Sequence, residues 1–364
     1  MTGQAPIAAS LILAGGLGLG AYQAGAYAAF ADDGRIRFEA IAGSSIGAIN
    51  VAIIAGNPPE RAVERLRAFW QSVATQISPA LPLDPFGLTD SGPLRHLRNW
   101  ANTAAARLGG ARGLFQPRLA GDSEMPSLYD TAPAAATLNE FIDFERLNGG
   151  PTRLCIATTD IETGEPVLFD TARGDRIAVE HLLASGALLP AFPAVRIGER
   201  LLGDGGLAVN APLEPFLSSE RQEPTPQRCF LIDLFALDGP APRSIEAAAA
   251  RAADLKFATQ TAVRLTGLQR ERALEAQLAP DRPGADLFWL SYHASPDETG
   301  PEKPYDFSRR TLGDRFAAGA SDAAAALVLM EQLEASGPGL RVHPIRSDGV
   351  APGAAQPLAE ELSA

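Results

Sequence analysis

The chain has 364 residues, a formal net charge of −12, 46% hydrophobic residues and 20% charged residues. That is the make-up of a globular protein with room for one large α/β domain or two modest ones, and its acidity argues against nucleic acid as the main partner. Cys155 and Cys229 lie in apolar runs and read as buried thiols; the scattered histidines show no zinc spacing, so no metal is expected.

Residues 1–31 carry no charged side chain. They lack a positive leading region, and glycines interrupt them, so they read as a strand, a loop and a helix of a mature cytoplasmic protein. Ser10 to Leu13 is a short apolar strand running into the glycine-crowded Ala14-Gly15-Gly16-Leu17-Gly18-Leu19-Gly20. Ala21 to Ala31 has helical composition and stops at Asp32-Asp33-Gly34. Phe38 to Ala42 is a buried strand entering Gly43-Ser44-Ser45-Ile46-Gly47, and Ala48 to Ala55 is the helix behind it. Glu60 to Ala74 is an amphipathic helix.

Residues 78–135 are rich in proline and glycine, show no obvious strand, and read as an irregular, lid-like insertion. Between Asp90 and Asp122 there is no acid, yet Arg95, Arg98, Arg107, Arg112 and Arg118 fall there. Leu94, Leu97, Ala101, Ala104 and Leu108 follow helical spacing beside Trp100. Basic residues interleaved with apolar ones over 92–121 suit either peripheral contact with a membrane surface or an amphipathic helix packed on the core.

Further along, Leu138 to Leu147 reads as a helix. Arg153 to Thr158 and Pro166 to Phe169 are strands around a Thr163-Gly164 turn. His181 to Leu188 is helical, and Ala194 to Leu202 is a hairpin leading to Gly203-Asp204-Gly205-Gly206. A strand at Phe230 to Leu237, a long helix over 244–279, a strand at Leu287 to Tyr292 and a helix from Leu312 to Leu333 follow. The Gly/Ala/Pro-rich tail at 346–364 reads as disordered. Strands alternating with helices give an α/β protein with a mainly parallel sheet.

Gly43 to Gly47 fits the G-x-S-x-G elbow, in which a serine sits on a tight strand-to-helix turn that flanking glycines make sterically possible. The glycine loop can turn backbone N–H groups toward a developing oxyanion. It also satisfies the dinucleotide pattern G-x-G-x-x-A over Gly16 to Ala21. The second strand, however, ends in Gly43-Ser44-Ser45 rather than in the acid a ribose requires. A Walker A loop is excluded because no Gly-Lys-Ser/Thr follows. The order Ser45, Asp204, then His293 or His343 would match a histidine triad. Ser45 comes too early in the chain for that architecture, which leaves direct proton transfer to Asp204 as the alternative.

Together these motifs resemble the patatin-like phospholipase family. The resemblance implies a three-layer α/β/α sandwich, Ser45 as nucleophile, Asp204 as general base, and the backbone of Gly15, Gly16, Leu17 and Gly18 as oxyanion hole. Gly43, Gly47, Gly205 and Gly206 would support the site. Gly20-Ala21-Tyr22-Gln23-Ala24-Gly25, Ala184 to Pro193 and Asp204 to Leu213 are similar to the family too, so the likeness spans about 8–215. Two positions depart from it: Leu17 stands where a third glycine is usual, and Leu19 where a basic residue is often found.

Leu114 to Arg118, Tyr129 to Thr131, and Asp306-Phe307-Ser308 with Asp314-Arg315-Phe316 look like a bacterial subgroup carrying a C-terminal region of unassigned function. Here that region would be an α/β extension over 216–345 packed on the same domain. The implied activity is cofactor-free hydrolysis of lipid acyl esters. The alternatives are an esterase, thioesterase or polyester depolymerase on other acyl esters, and a non-enzymatic nucleotide-binding module.

Overall fold

The structure, a computed structural model, describes residues 5–75, 92–118, 125–218, 228–281, 283–295, 298, 300, 303–333 and 337–345. In chain order the first elements are β1 (Ile7–Leu13), α1 (Ala21–Asp33), β2 (Ile36–Ser44), α2 (Ile46–Ala55), α3 (Pro59–Ser72) and α4 (Gly92–Gly109). Then come β3 (Gln116–Pro117), β4 (Tyr129–Asp130), α5 (Ala132–Phe141), α6 (Phe144–Gly149), β5 (Arg153–Asp160), β6 (Pro166–Asp170) and α7 (Val179–Ser185). The remainder are β7 (Val195–Ile197), β8 (Arg200–Asp204), α8 (Glu214–Leu217), β9 (Arg228–Asp233), α9 (Ile245–Leu278), β10 (Ala285–Ser291), α10 (Arg309–Gln332) and β11 (Leu340–Ile345).

Nine strands form one sheet in the order β11-β10-β9-β1-β2-β5-β8-β7, with β6 paired to β5. From β11 to β5 every pairing is parallel; β6, β7 and β8 join antiparallel. The buried runs Leu11–Leu13, Ala40–Ala42 and Phe230–Ile232 of the central strands are apolar because helices cover both faces, as a parallel sheet requires. Alternation along each strand then divides the core. Leu11, Leu13, Ile41, Ile156, Phe230 and Ile232 pack with α1, α2, α3 and α10. Ile12, Ala42, Cys155, Cys229 and Leu231 face the other way, against Phe216 of α8 and Leu265 and Leu268 of α9. Both cysteines are buried thiols outside any disulfide.

Several expectations need correction. The helix expected over 138–147 is two helices, because Ile142 is extended and the Asp143 carboxylate caps a new helix at the Arg146 N–H. The strand expected over 230–237 stops at Asp233, and Leu234–Leu237, buried as far as Ala236, is turn and loop. Leu340–Ile345, unanticipated, is the edge strand β11. The insertion contains a small antiparallel ladder, Gln116–Pro117 against Tyr129–Asp130.

Helix α4 forms as its spacing predicts. Asn99, Asn102, Thr103 and Ala106 are buried, whereas Trp100 and Leu108 are 64% and 81% exposed. The rest of the insertion, 76–91 and 119–124, lies outside the described residues, as does the tail beyond 345.

Strand register assembles the site. Leu13 pairs with Gly43 on one side and Ile232 on the other, so the glycine loop and the serine turn leave the sheet side by side. Ser44 pairs with Ala157, and Thr158 with Asp204, which places the end of β8 beside the serine turn. The chain winds from β1 out to β8 and then returns to β9 on the far side of β1. The glycine loop thus stands at the point where strand order reverses, where open α/β sheets characteristically place their ligands.

Candidate active site

Ser45 caps α2 with φ 55° and ψ −124°, a left-handed conformation that is costly for a residue with a side chain. The turn is over-determined by its neighbours. A methyl group at Gly43 would strike the Gly47 backbone, and one at Gly47 would strike the Leu13 carbonyl. Within residues 40–54 every residue but Ser45 is fully buried; Ser45 alone is partly open to solvent. Its backbone N–H is held by Ser185 Oγ at 2.9 Å, and that hydroxyl in turn donates to the Ala157 carbonyl at 2.7 Å.

Ser45 Oγ donates to Asp204 Oδ2 at 2.7 Å. The other carboxylate oxygen, Oδ1, accepts the Gly206 N–H at 2.7 Å, and Thr159 Oγ1 holds the Asp204 carbonyl at 2.8 Å. Gly205 and Gly206 allow the close approach, since a methyl at Gly205 would meet Ser44 Oγ and the Ala157 carbonyl. Asp204 is 3% exposed. Burial raises its pKa from 3.8 to about 6; the Ser45 and Gly206 hydrogen bonds and the charge of Lys256 only partly oppose that rise.

The glycine loop lies against the serine. A methyl at Gly15 would sit 3.0 Å from Ser45 Cβ and 2.7 Å from Asn210 Oδ1. The Gly15 N–H, however, is engaged by the Asn210 carbonyl at 3.1 Å, so it is not available as a donor. Leu17 through Gly20 form a short 3₁₀ turn closed by Leu19 N–H to the Gly16 carbonyl at 3.1 Å. The amides of Gly16, Leu17 and Gly18 precede that turn's own bonding and find no acceptor among the described residues. Leu17 has φ 51°, the region glycine favours, where a leucine costs about 1–2 kcal/mol.

A buried polar chain ties this loop to α2. Trp70 Nε1 donates to Asn50 Oδ1, Asn50 Nδ2 to Gln23 Oε1 and the Gly20 carbonyl, and Gln23 Nε2 to the Ala14 carbonyl. Sequence reasoning assigned roles to none of Ser185, Gln23 or Asn50. A lone Asn inside the apolar run Ile46–Ala55, and a Gln inside the charge-free first 31 residues, were the available signals.

The described histidines make other contacts. His181 Nδ1 accepts the Ala178 N–H, His293 meets Asp238 and the Ser291 carbonyl, and His343 meets Asp286. The side chain of His96 lies outside the described residues.

The fold is a patatin-like α/β/α sandwich built on a mixed, mostly parallel sheet. The patatin-like phospholipase family matches residues 11–217, more than half of the chain, and the protein belongs to that family. Membership supports lipid hydrolase activity. Among solved structures, VipD from Legionella pneumophila is similar with a TM-score of 0.36 and 13% identity, over 90% of this chain and 76% of that one. A structure of full-length SpcU in complex with full-length ExoU, from the type III secretion system of Pseudomonas aeruginosa, matches with TM-score 0.28 and 19% identity. That match covers 70% of this chain and 51% of the other. A second ExoU–SpcU complex gives 0.26 and 19%, over 72% and 52%. This chain therefore spans about half the length of the chain it matches in each of those complexes. A comparison with curated proteins gives no match.

Proposed function

We propose that the protein hydrolyses carboxylic esters of lipids through a Ser45–Asp204 dyad and an acyl-enzyme. The observation that carries this reading is the 2.7 Å hydrogen bond from Ser45 Oγ to Asp204 Oδ2, made by a strained, partly open serine and a buried carboxylate. Asp204 takes the serine proton as Oγ attacks the ester carbonyl. The tetrahedral oxyanion is held by the Gly16, Leu17 and Gly18 amides, helped by the positive end of α2. As the intermediate collapses, the leaving alcohol receives the proton from Asp204 and the acyl group stays on Ser45. Asp204 then deprotonates a water that attacks the acyl-enzyme, releasing the fatty acid and returning the proton to Ser45.

A carboxylate with a pKa near 6 suits this role, because burial makes it a stronger base than an exposed aspartate while leaving it ionised at neutral pH. Its Oδ1 bond to Gly206 fixes the group so that Oδ2 points at the serine. The exposed Trp100 and Leu108 on α4 support peripheral contact with a lipid surface. The Ser45→Ala variant tests the mechanism: it should keep the fold and lose hydrolysis of a chromogenic acyl ester by at least about 1,000-fold. Wild-type turnover by that variant would exclude it. A panel of phospholipid, thioester and short-chain ester substrates separates the phospholipase from the broader esterase reading.

A further inference from the structure

Gly18 lies within the glycine loop, and its carbonyl meets the C-terminal part of the chain. There it accepts a hydrogen bond from Arg315 Nη1 at 2.9 Å. Arg315 is in the second turn of α10, lies nearly a hundred residues beyond the family match at 11–217, and is completely buried. All five of its N–H donors are used. Nη1 also reaches the Asp306 carbonyl at 2.9 Å, Nη2 the Lys303 carbonyl and Glu298 Oε2 at 2.8 Å each, and Nε Glu298 Oε2 at 3.0 Å. Glu298 is held in turn by Tyr292 Oη at 2.7 Å.

The surrounding packing fixes this contact. A methyl at Gly18 would lie 2.7 Å from the Pro304 carbonyl and 3.3 Å from both Arg315 Nη1 and the Asp306 carbonyl. The loop backbone thus rests directly on 304–306. Helix α10 docks on α1, the helix that follows the loop, at two reciprocal glycines: a methyl at Gly25 would strike the Phe316 carbonyl, and one at Gly319 the Tyr22 carbonyl. Tyr22 Oη bonds Asp322 Oδ2 across the same seam at 2.5 Å. The guanidinium therefore stands on a rigid base.

The Gly18–Leu19 peptide is gripped at both ends, by Arg315 on its carbonyl and by the Gly16 carbonyl on its N–H. We propose that Arg315 is a positioning residue for the oxyanion loop, so that the C-terminal region is an integral part of the catalytic machinery. It touches no substrate. It sets the orientation of the tight turn that presents the Gly16, Leu17 and Gly18 amides. This rests on the Ser45–Asp204 reading above.

A lysine has three donors at a point and cannot span the carbonyls of Gly18, Lys303 and Asp306 while also serving Glu298. Arg315→Lys keeps a positive charge opposite Glu298 and is the deciding variant. The pair Arg315→Met with Glu298→Gln removes both charges together, so neither is left buried alone. The experiment measures thermal midpoint, kcat and KM per titrated Ser45, and inhibition by an alkylboronic acid, whose tetrahedral adduct mimics the oxyanion.

Positioning predicts a kcat lower by about 100-fold at temperatures where Arg315→Lys is fully folded, KM within about twofold, and a boronic acid Ki raised in parallel with the loss of kcat. A folded Arg315→Lys with wild-type kcat and Ki, and only a lower thermal midpoint, would overturn the proposal. Ser45→Ala is assayed alongside. If it stays active, the dyad reading fails and takes this inference with it. If it is inactive while Arg315→Lys keeps full kcat, only the role of Arg315 is refuted.

Discussion

Replacing Asp204 with Asn should abolish activity and stabilise the fold, by an amount that depends on pH in a defined way. Burial raises the folded carboxyl from 3.8 to about 6. Between about pH 4 and pH 6 the native state retains a proton that the unfolded chain has released, so wild-type stability falls as pH rises through that window. Above pH 6 the full cost of the buried charge is present, about 3 kcal/mol at 1.36 kcal/mol per pKa unit. Asparagine never bears that cost, and its amide keeps the polar contacts to Ser45 and Gly206 within reach. Urea unfolding of both proteins at half-unit steps from pH 4 to pH 8 should give a stability difference that grows by about 3 kcal/mol toward the variant and levels off above pH 6. Asp233, also buried and also raised to about 6, titrates in both proteins and cancels. A difference that is flat with pH, or that grows in the wild type's favour, would refute the claim that the site holds a destabilised carboxylate.

Three further outcomes follow from the same geometry. The acidic limb of kcat/KM should fall with a single ionisation near pH 6, because the base must be deprotonated; a limb near pH 4 would mean that Asp204 is not the titrating base. Ser185→Ala leaves the Ser45 N–H without its acceptor in a buried site, so stability should drop by about 1–3 kcal/mol in thermal or urea melts, and kcat should fall more than KM rises. Trp100→Ser with Leu108→Ser should reduce liposome co-sedimentation several-fold without changing hydrolysis of a soluble ester; an unchanged bound fraction would remove α4 from any lipid contact.

The parts of the fold that sequence makes visible are those whose burial is symmetric. Strands β1 and β2 finish in short apolar runs, Leu11–Leu13 and Ala40–Ala42, that enter glycine turns, and such runs have few structural uses other than the centre of a parallel sheet. Strand β11 escaped notice because an edge strand needs no such composition. Leu340 and Ile345 are its only fully buried residues, and Arg341 and His343 read as surface until they meet Asp286 across the ladder. Leu234 to Ala236 were legible as buried but not as turn: Leu234 packs where a methyl on Gly16 would sit, a contact across more than 200 residues. Asp143 split an apolar helical pattern because a side chain capped a new N-terminus there, a local event that periodicity averages away. Helix α4 had the right period, but nothing in its spacing marked Asn99, Asn102 and Thr103 as buried residues.

The candidate site divides in the same manner. Ser45 and Asp204 stand out because each needs glycines at fixed offsets, and those offsets are readable in one dimension. The supports do not stand out. Ser185 reaches Ser45 across 140 residues and Arg315 reaches Gly18 across 297, and nothing in their local sequence names the partner. Gly15 shows the converse: its composition suits an oxyanion donor, yet its N–H is taken by Asn210, contributed from beyond the Asp204 turn.

The most direct measurement of the central claim is covalent labelling of the intact protein by a fluorophosphonate. The Ser45–Asp204 account predicts one phosphonyl group per chain, found on Ser45 by peptide mass, with none on Ser45→Ala and a rate at least about 100-fold lower on Asp204→Asn. Labelling of Ser45→Ala at the wild-type rate, or no labelling of the folded wild-type protein, would contradict it.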